Sequence, residues 1–251
     1  MRAVLVIAGT DPSGGAGLVR DVYTLAQLRT AALCAVTAVT VQTDARYQGT
    51  HAVPAAIVSA QIAAALTHAQ LGAVKIGMLG SAAVVRAVAA SLAASRLPVV
   101  LDPVLASSSG AALLDEEGRQ ALLECLLPRA TVVTPNIPEA AALLGLPSAH
   151  EPQALLTQAR ALLARGAEAV LLKGGHGTGE EAIDYLVCPG RPPQLLRAPR
   201  AQGSVRGSGC ALATAIAAGL AAGVELGPAC VRAKQYLSER FQHGGEWGVS
   251  P

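Results

Sequence analysis

Two glycine-rich turns in this chain have the form that receives an anion. One, Arg206-Gly207-Ser208-Gly209-Cys210, runs straight into a stretch of small and apolar residues, Ala211 to Gly219. Glycines let the backbone fold tightly there, and the first N–H groups of the helix that follows have no carbonyl partner within it. Those donors, with the positive end of the helix dipole, suit an anion and most often a phosphate. A thiol at Cys210 would stand beside that anion with its pKa drawn down. A plain helix start, with a glycine cap and a buried cysteine, accounts for the same residues. The other turn, Gly9-Thr10-Asp11-Pro12-Ser13-Gly14-Gly15-Ala16-Gly17, follows the strand-like Val4 to Ala8 and leads into helical spacing from Leu18 to Leu28. It lacks Gly-x-Gly-x-x-Gly, which argues against a dinucleotide fold. Gly9 and Gly14 have P-loop spacing, but Gly15 and Ala16 stand where Lys and Ser/Thr are required.

Four further groups carry polar chemistry. Asn136 and Glu139 lie three apart at a helix start, so they share a face and suit a hydrated Mg²⁺. Helix capping by Asn136, with Glu139 in the first turn, explains them equally well. Lys173, after a buried run, is placed to reach a polyphosphate as a point charge, or is an ordinary solvated lysine at a strand end. Asp102, before Pro103, is either a turn former or a carboxylate near metal and phosphates. Lys75-Ile76-Gly77-Met78-Leu79 closes another strand-like run.

Those residues need a scaffold that gathers them. Strands are expected near Val4–Ala8, Ala35–Val41, Ala73–Ile76, Val99–Leu101, Thr131–Thr134 and Ala169–Leu172. Helices are expected near Leu18–Leu28, Ala55–His68, Ala82–Ser95, Glu117–Leu126, Pro138–Leu144 and Pro152–Arg165. Continuous Val/Leu/Ile runs mean strands covered on both faces, hence a parallel sheet between helices. After Lys173 the rhythm changes. Ile183–Val187 and Leu195–Ala198 bracket Pro189-Gly190-Arg191-Pro192-Pro193 as a hairpin, and helices Cys210–Ala222 and Gly227–Gln242 close the chain. No linker or repeat breaks it, so residues 1–251 read as one domain, with a poorly ordered tail over 244–251. In such a sheet the polar motifs fall at strand C-termini, on the rim where ligands bind.

Composition narrows the class. Of 251 residues, 52% are apolar and only 2% aromatic, so Ala, Val and Leu must do the packing. The net charge of +2, without blocks of Lys and Arg interleaved with aromatics, points away from nucleic acid. Cys34, Cys125, Cys188, Cys210 and Cys230 are odd in number and widely spaced, with no C-x-x-C or zinc pattern. Reduced thiols in a cytoplasmic protein fit best. No segment reaches the ~20 apolar residues of a membrane span, and the N-terminus lacks the layout of a secretion signal.

Taken together, Ala8 to Gly17, Lys75 to Leu79, Leu101 to Val104, Pro135 to Ala140, Lys173 to His176 and Gly207 to Cys210 resemble the hydroxymethylpyrimidine/phosphomethylpyrimidine kinase family of thiamin biosynthesis. The resemblance runs in order from about Val4 to Arg240. It implies a ribokinase-like three-layer α/β/α fold. It further implies transfer of the ATP γ-phosphate, with Mg²⁺, to 4-amino-5-hydroxymethyl-2-methylpyrimidine and then to its monophosphate. Asp21 and Gln42 match positions that bind the pyrimidine, and Gly9 and Met78 line its pocket. A carboxylate accepts from the ring amino group, and an amide can do either. Asn136 and Glu139 match the metal-and-phosphate motif, beside Asp102 as the second metal-side carboxylate. Lys173 and Ser208 match phosphate contacts, and Asp184 the turn near the nucleotide. Gly207 and Gly209 match the anion hole, and Cys210 the base that takes the hydroxyl proton or a group that only positions the substrate. A homodimer is implied as well.

Some positions depart from the family pattern. A lysine usual after Asp-Pro-Val is replaced within Ala106 to Gly110, where Ser108 takes its place. The histidine common before the anion loop gives way to Val205 and Arg206, and a Gly-His-Gly-Pro-type ending is absent at Gly248 to Pro251. Arg206 is a candidate to supply the missing charge. A pyridoxal-type kinase of the same superfamily is the alternative enzymatic reading, and a catalytically inactive pyrimidine-binding sensor is the non-enzymatic one.

Overall fold

The first strand, β1 (Ala3–Thr10), sets the layers. Its residues are buried on both sides, and alternate side chains point to opposite faces. Leu5 and Ile7 enter one apolar cluster, while Val4 and Val6 enter another. The computed structural model describes residues 2–43, 46–107, 110–175, 180–200 and 206–242. Beyond β1 the chain runs α1 (Gly17–Gln27), β2 (Ala31–Gln42), β3 (Tyr47–Ala52), α2 (Ala55–Leu66), β4 (Leu71–Ile76), α3 (Ala82–Leu92) and β5 (Val99–Leu101). It continues through α4 (Glu116–Ala121), β6 (Val132–Val133), α5 (Ile137–Leu144), α6 (Pro152–Ala164), β7 (Val170–Leu172), β8 (Glu181–Val187), β9 (Gln194–Pro199), α7 (Ser208–Ala221) and α8 (Leu226–Gln242).

The nine strands form one sheet in the order β3-β2-β1-β4-β5-β6-β7-β8-β9. From β2 to β7 every neighbour is parallel, and β3, β8 and β9 join antiparallel. Side chains of α2, α3, α5 and α6 fill the cluster on the Leu5 face, and those of α1, α7 and α8 fill the cluster on the Val4 face. This is the expected α/β/α sandwich with a mostly parallel sheet. With few aromatics, the second face packs closely through alanine: Ala211, Ala213 and Ala217 of α7 are fully buried. Gly72 of β4 completes that fit, because a Cβ there would stand 2.8 Å from the Ala221 carbonyl.

Expected and observed elements differ in two places. The strand β3 is absent from the expected elements. It reads Tyr-Gln-Gly-Thr-His-Ala, mostly exposed, and hydrogen-bonds only to β2 at the sheet edge. An edge strand with no core face carries no continuous apolar run, so composition hides it. The helix expected over Glu117–Leu126 is α-helical only to Ala121, widens to a π-helical turn at Leu122–Leu126 and tightens to 3₁₀ at Leu127–Arg129. Pro128 lacks the N–H that would continue the α ladder. The tail, His176, Ser108 and Val205 lie outside the described residues.

Candidate active site

Parallel strands deliver their C-terminal ends to one rim, and the rim surrounds a cavity of about 290 Å³. β1 ends at Gly9 and Asp11, β2 at Thr40 and Gln42, and β4 leads to Met78. Asp102 follows β5, Asn136 follows β6 and Lys173 follows β7. All of these line the cavity, together with Gly207 to Cys210. Asn136 and Lys173 are brought side by side because the β6–β7 pairing continues one step beyond the strands, with the Lys173 N–H bonded to the Pro135 carbonyl at 2.8 Å.

The turn from Gly207 to Cys210 is built from backbone. Gly207 caps α7 with φ 75°, a left-handed conformation that glycine adopts without strain. A Cβ on Gly207 would collide with the Gly15 carbonyl, so the two glycine-rich turns pack main chain against main chain. The first intrahelical bond is made by the Ala211 N–H to the Gly207 carbonyl at 2.9 Å. The N–H groups of Ser208, Gly209 and Cys210 therefore have no carbonyl of α7 to meet, and they sit on the cavity wall.

Beside them lies a charged group of three. Lys173 Nζ is 2.9 Å from Asp102 Oδ1 and 3.8 Å from Glu139 Oε2. A Cβ on Gly209 would stand 3.1 Å from the same ammonium, which places Lys173 against the first turn of α7. Burial alone would raise the Asp102 pKa, but Lys173 and Lys75 outweigh it and hold the carboxylate below its ordinary range. Glu139 goes the other way: burial, helped by the charge of Asp102, pushes its carboxyl up to about 7 against the pull of Lys173. Asn136 and Glu139 make a complete capping box for α5, at 2.8 Å and 2.7 Å, so the capping explanation of these residues holds in this structure. They nevertheless face the cavity. Asp102 and Glu139 offer a pair of hard oxygen donors there, and among the described residues no group of three or more His, Cys, Asp or Glu comes together. Such a pair suits a cation that keeps most of its water and takes phosphate oxygens, as Mg²⁺ does.

Two expectations are corrected. Asp21 does not line the cavity. It is fully buried beneath it, with Oδ2 2.7 Å from Lys75 Nζ and Oδ1 accepting the Thr214 hydroxyl at 2.7 Å. Both oxygens are thus engaged by protein groups rather than offered to a ligand. Lys75 is also fully buried; burial would lower its pKa, but the charges of Asp21 and Asp102 outweigh this and keep the ammonium protonated. The second correction concerns Cys210. Its thiol faces the cavity, but its pKa is pushed up to about 11, not drawn down. Burial dominates, and the charges of Asp21 and Asp102 add to it. Lys75 and the Gly17 N–H pull the other way without prevailing.

Asp184 stands apart from the main cavity. It accepts the Gly174 N–H at 2.9 Å and pairs with Lys234 Nζ at 2.7 Å. It lines a smaller hollow of about 120 Å³ with Pro199, Leu212 and Phe241, which meets the main cavity at Lys173, Gly175, Ser208 and Gly209. Lys75 is marked in the sequence only as the head of a motif at a strand end, without its partner, and Thr214 and Lys234 carry no signal there. Their partners lie 54, 193 and 50 residues away, so no local spacing signals them.

Known proteins resemble this chain in sequence and in fold. A family model described as phosphomethylpyrimidine kinase matches residues 11–250. The hydroxymethylpyrimidine/phosphomethylpyrimidine kinase of Rhizobium meliloti is 42% identical over 236 residues, covering 93% of this chain and 88% of that protein. The crystal structure of phosphomethylpyrimidine kinase from Clostridium difficile superposes with a TM-score of 0.83 at 33% identity, covering 95% of this chain and 99% of that one. Pyridoxal kinase from Staphylococcus aureus, in complex with AMP-PCP and pyridoxal, superposes with a TM-score of 0.87 at 30% identity, covering 96% and 88%. With a family model matched over residues 11–250 and a relative 42% identical over 93% of its length, the chain belongs to the phosphomethylpyrimidine kinase family.

Proposed function

We propose that this protein transfers the γ-phosphate of ATP to the hydroxymethyl group of 4-amino-5-hydroxymethyl-2-methylpyrimidine, and then to the monophosphate so formed, in thiamin biosynthesis. The observation that carries the proposal is the continuity of one cavity. It runs from Gly9, Gln42 and Met78, past Cys210 and the first N–H groups of α7, to Lys173, Asp102 and Glu139. An acceptor at the first end and polyphosphate at the other would meet over the helix N-terminus.

In this reading the smaller hollow at Asp184, Pro199 and Phe241 takes the nucleoside part of ATP. Lys173 lies along the β- and γ-phosphates. The N–H groups of Ser208, Gly209 and Cys210 point at the γ-phosphoryl oxygens, where charge gathers as the P–O bond loosens. Asp102 and Glu139 would hold Mg²⁺, which would supply neutralisation of phosphate charge. Gln42 hydrogen-bonds the aminopyrimidine edge, and Met78 packs on the ring. With its thiol protonated at neutral pH, Cys210 positions the hydroxymethyl group more than it deprotonates it. A loose phosphoryl-transfer transition state asks for little prior loss of that proton.

The fold likeness to pyridoxal kinases favours a second reading, phosphorylation of pyridoxal in the same cavity. Both are tested by offering the purified protein, with ATP and Mg²⁺, the pyrimidine alcohol, its monophosphate and pyridoxal in parallel. Turnover on the pyrimidines above pyridoxal supports the first reading, and the reverse order installs the second. Pyrimidine binding with no turnover on any acceptor would leave a sensor.

A further inference from the structure

Three cations line the main cavity among the described residues: Lys75, Lys173 and Arg206. Lys75 is fully buried against Asp21, and Lys173 belongs to the phosphate end. Arg206 stands at the acceptor end. Its Nη1 donates to Ser13 Oγ at 2.7 Å and to the Thr43 carbonyl at 3.2 Å, and its Nη2 lies 2.9 Å from Asp11 Oδ2. Asp11, 1% exposed, is itself fixed, because Oδ1 accepts the N–H and O–H of Ser13 at 3.0 and 2.8 Å. The guanidinium is therefore oriented by the loop after β1 and by the residue that follows Gln42, and it sits one residue before the anion hole. Its side chain keeps 17% exposure.

An acceptor that already carries a phosphate poses a problem that the alcohol does not. The phosphate must lie between the ring and the anion hole, because its oxygen is now the attacking atom. It brings its own negative charge up to the γ-phosphate. We infer that Arg206 is the specificity-determining residue that admits the phosphorylated acceptor, donating from its fixed fork to the acceptor phosphate. This rests on the kinase reading above. In the step it serves, a phosphate oxygen of the dianionic acceptor bonds to the γ-phosphorus, the bond from that phosphorus to the β–γ bridging oxygen breaks, and ADP leaves with the electron pair. No proton is released, so the step needs a cation where the alcohol needs a proton acceptor.

The test compares the full-length protein with Arg206→Gln and Arg206→Lys. KM and kcat are measured for the alcohol and for the monophosphate at saturating ATP, and monophosphate binding without ATP is measured by calorimetry. For Arg206→Gln, KM for the monophosphate should rise about 10- to 100-fold more than KM for the alcohol, the range of a lost charge-assisted bond. Arg206→Lys should recover part of it, since it keeps charge but not the fork. Equal losses on both acceptors would overturn the inference and leave Arg206 a strap between loops, and unchanged monophosphate kinetics would overturn it too. Should the wild-type protein turn over neither acceptor, the kinase reading fails by itself. Calorimetry still decides this one: equal monophosphate affinity in wild type and Arg206→Gln refutes it.

Discussion

Replacing Asp21 by asparagine separates a binding role from a structural one. The carboxylate and the Lys75 ammonium are both at 0% exposure and 2.7 Å apart, so Asp21→Asn strands a full positive charge inside the molecule. Removing one partner of a buried pair costs about 3–5 kcal/mol. For a chain of this size, 1 kcal/mol moves Tm by about 2–4 °C, so a fall of roughly 6–20 °C is expected in thermal unfolding followed by circular dichroism. Asp21→Leu with Lys75→Met removes both charges, and Thr214 can turn its hydroxyl to a carbonyl of its own helix. That double variant should regain most of the loss. KM for the pyrimidine, measured below the transition, should change little more than KM for ATP. An unchanged Tm in Asp21→Asn, with pyrimidine KM raised tenfold, would refute the reasoning and return the carboxylate to the cavity wall.

Other outcomes can be read from the same site. Cys210→Ala should lower kcat strongly while Tm stays near wild type, and a near-normal kcat would reduce the thiol to packing. Because its pKa is pushed up to about 11, alkylation of Cys210 by iodoacetamide should keep climbing about tenfold per pH unit beyond pH 9, where an ordinary thiol of pKa about 8.5 levels off. Levelling near pH 8.5 would contradict the burial argument; mass spectrometry of the modified peptide follows it. Gln42→Ala should raise KM for the pyrimidine, by about 10-fold for a hydrogen bond lost to a polar ring, and leave KM for ATP within about twofold. Equal effects on both would place the amide outside the acceptor end. Gly207→Ala should abolish turnover, since its Cβ meets the Gly15 carbonyl and its φ of 75° is strained for alanine. Wild-type kcat would mean that the loop is free to move.

What could be read from residues alone follows from what burial does to a pattern. Val4 to Ala8, Val99 to Leu101 and the Ala-rich stretch from Ala211 are apolar because both faces of their elements are covered, so their places could be predicted. The strand β3 joins the sheet only through β2, and nothing in its composition records that. Among the site residues, those on the rim were legible because strand ends and glycine turns announce themselves: Gly9, Gln42, Met78, Asn136, Lys173 and Gly207 all reach the cavity. Asp21 was not. A polar residue in an amphipathic helix looks the same whether it faces a ligand or a lysine 54 positions away. The Cys210 pKa was likewise hidden, because the helix dipole is visible in sequence and the burial that overrides it is not.

The helix α7 that bears the anion hole is held along most of its length by the sheet, α1 and α8, with nine of its residues buried. A donor set anchored in this way cannot follow its substrate. The point in space at which phosphorus changes hands is then constant, and the acceptor must come to it. Successive phosphorylations of one ring through that single point require the ring to stand at two depths, further out the second time by the length of a phosphate. With the ring against Gly9 and Met78, as proposed above, that wall has to be a track more than a mould. Selection among ring compounds that share a hydroxymethyl arm falls to the few polar groups at its outer end. A rigid floor with a permissive approach is a physical reason why one scaffold could come to serve pyrimidines in some proteins and pyridoxal in others.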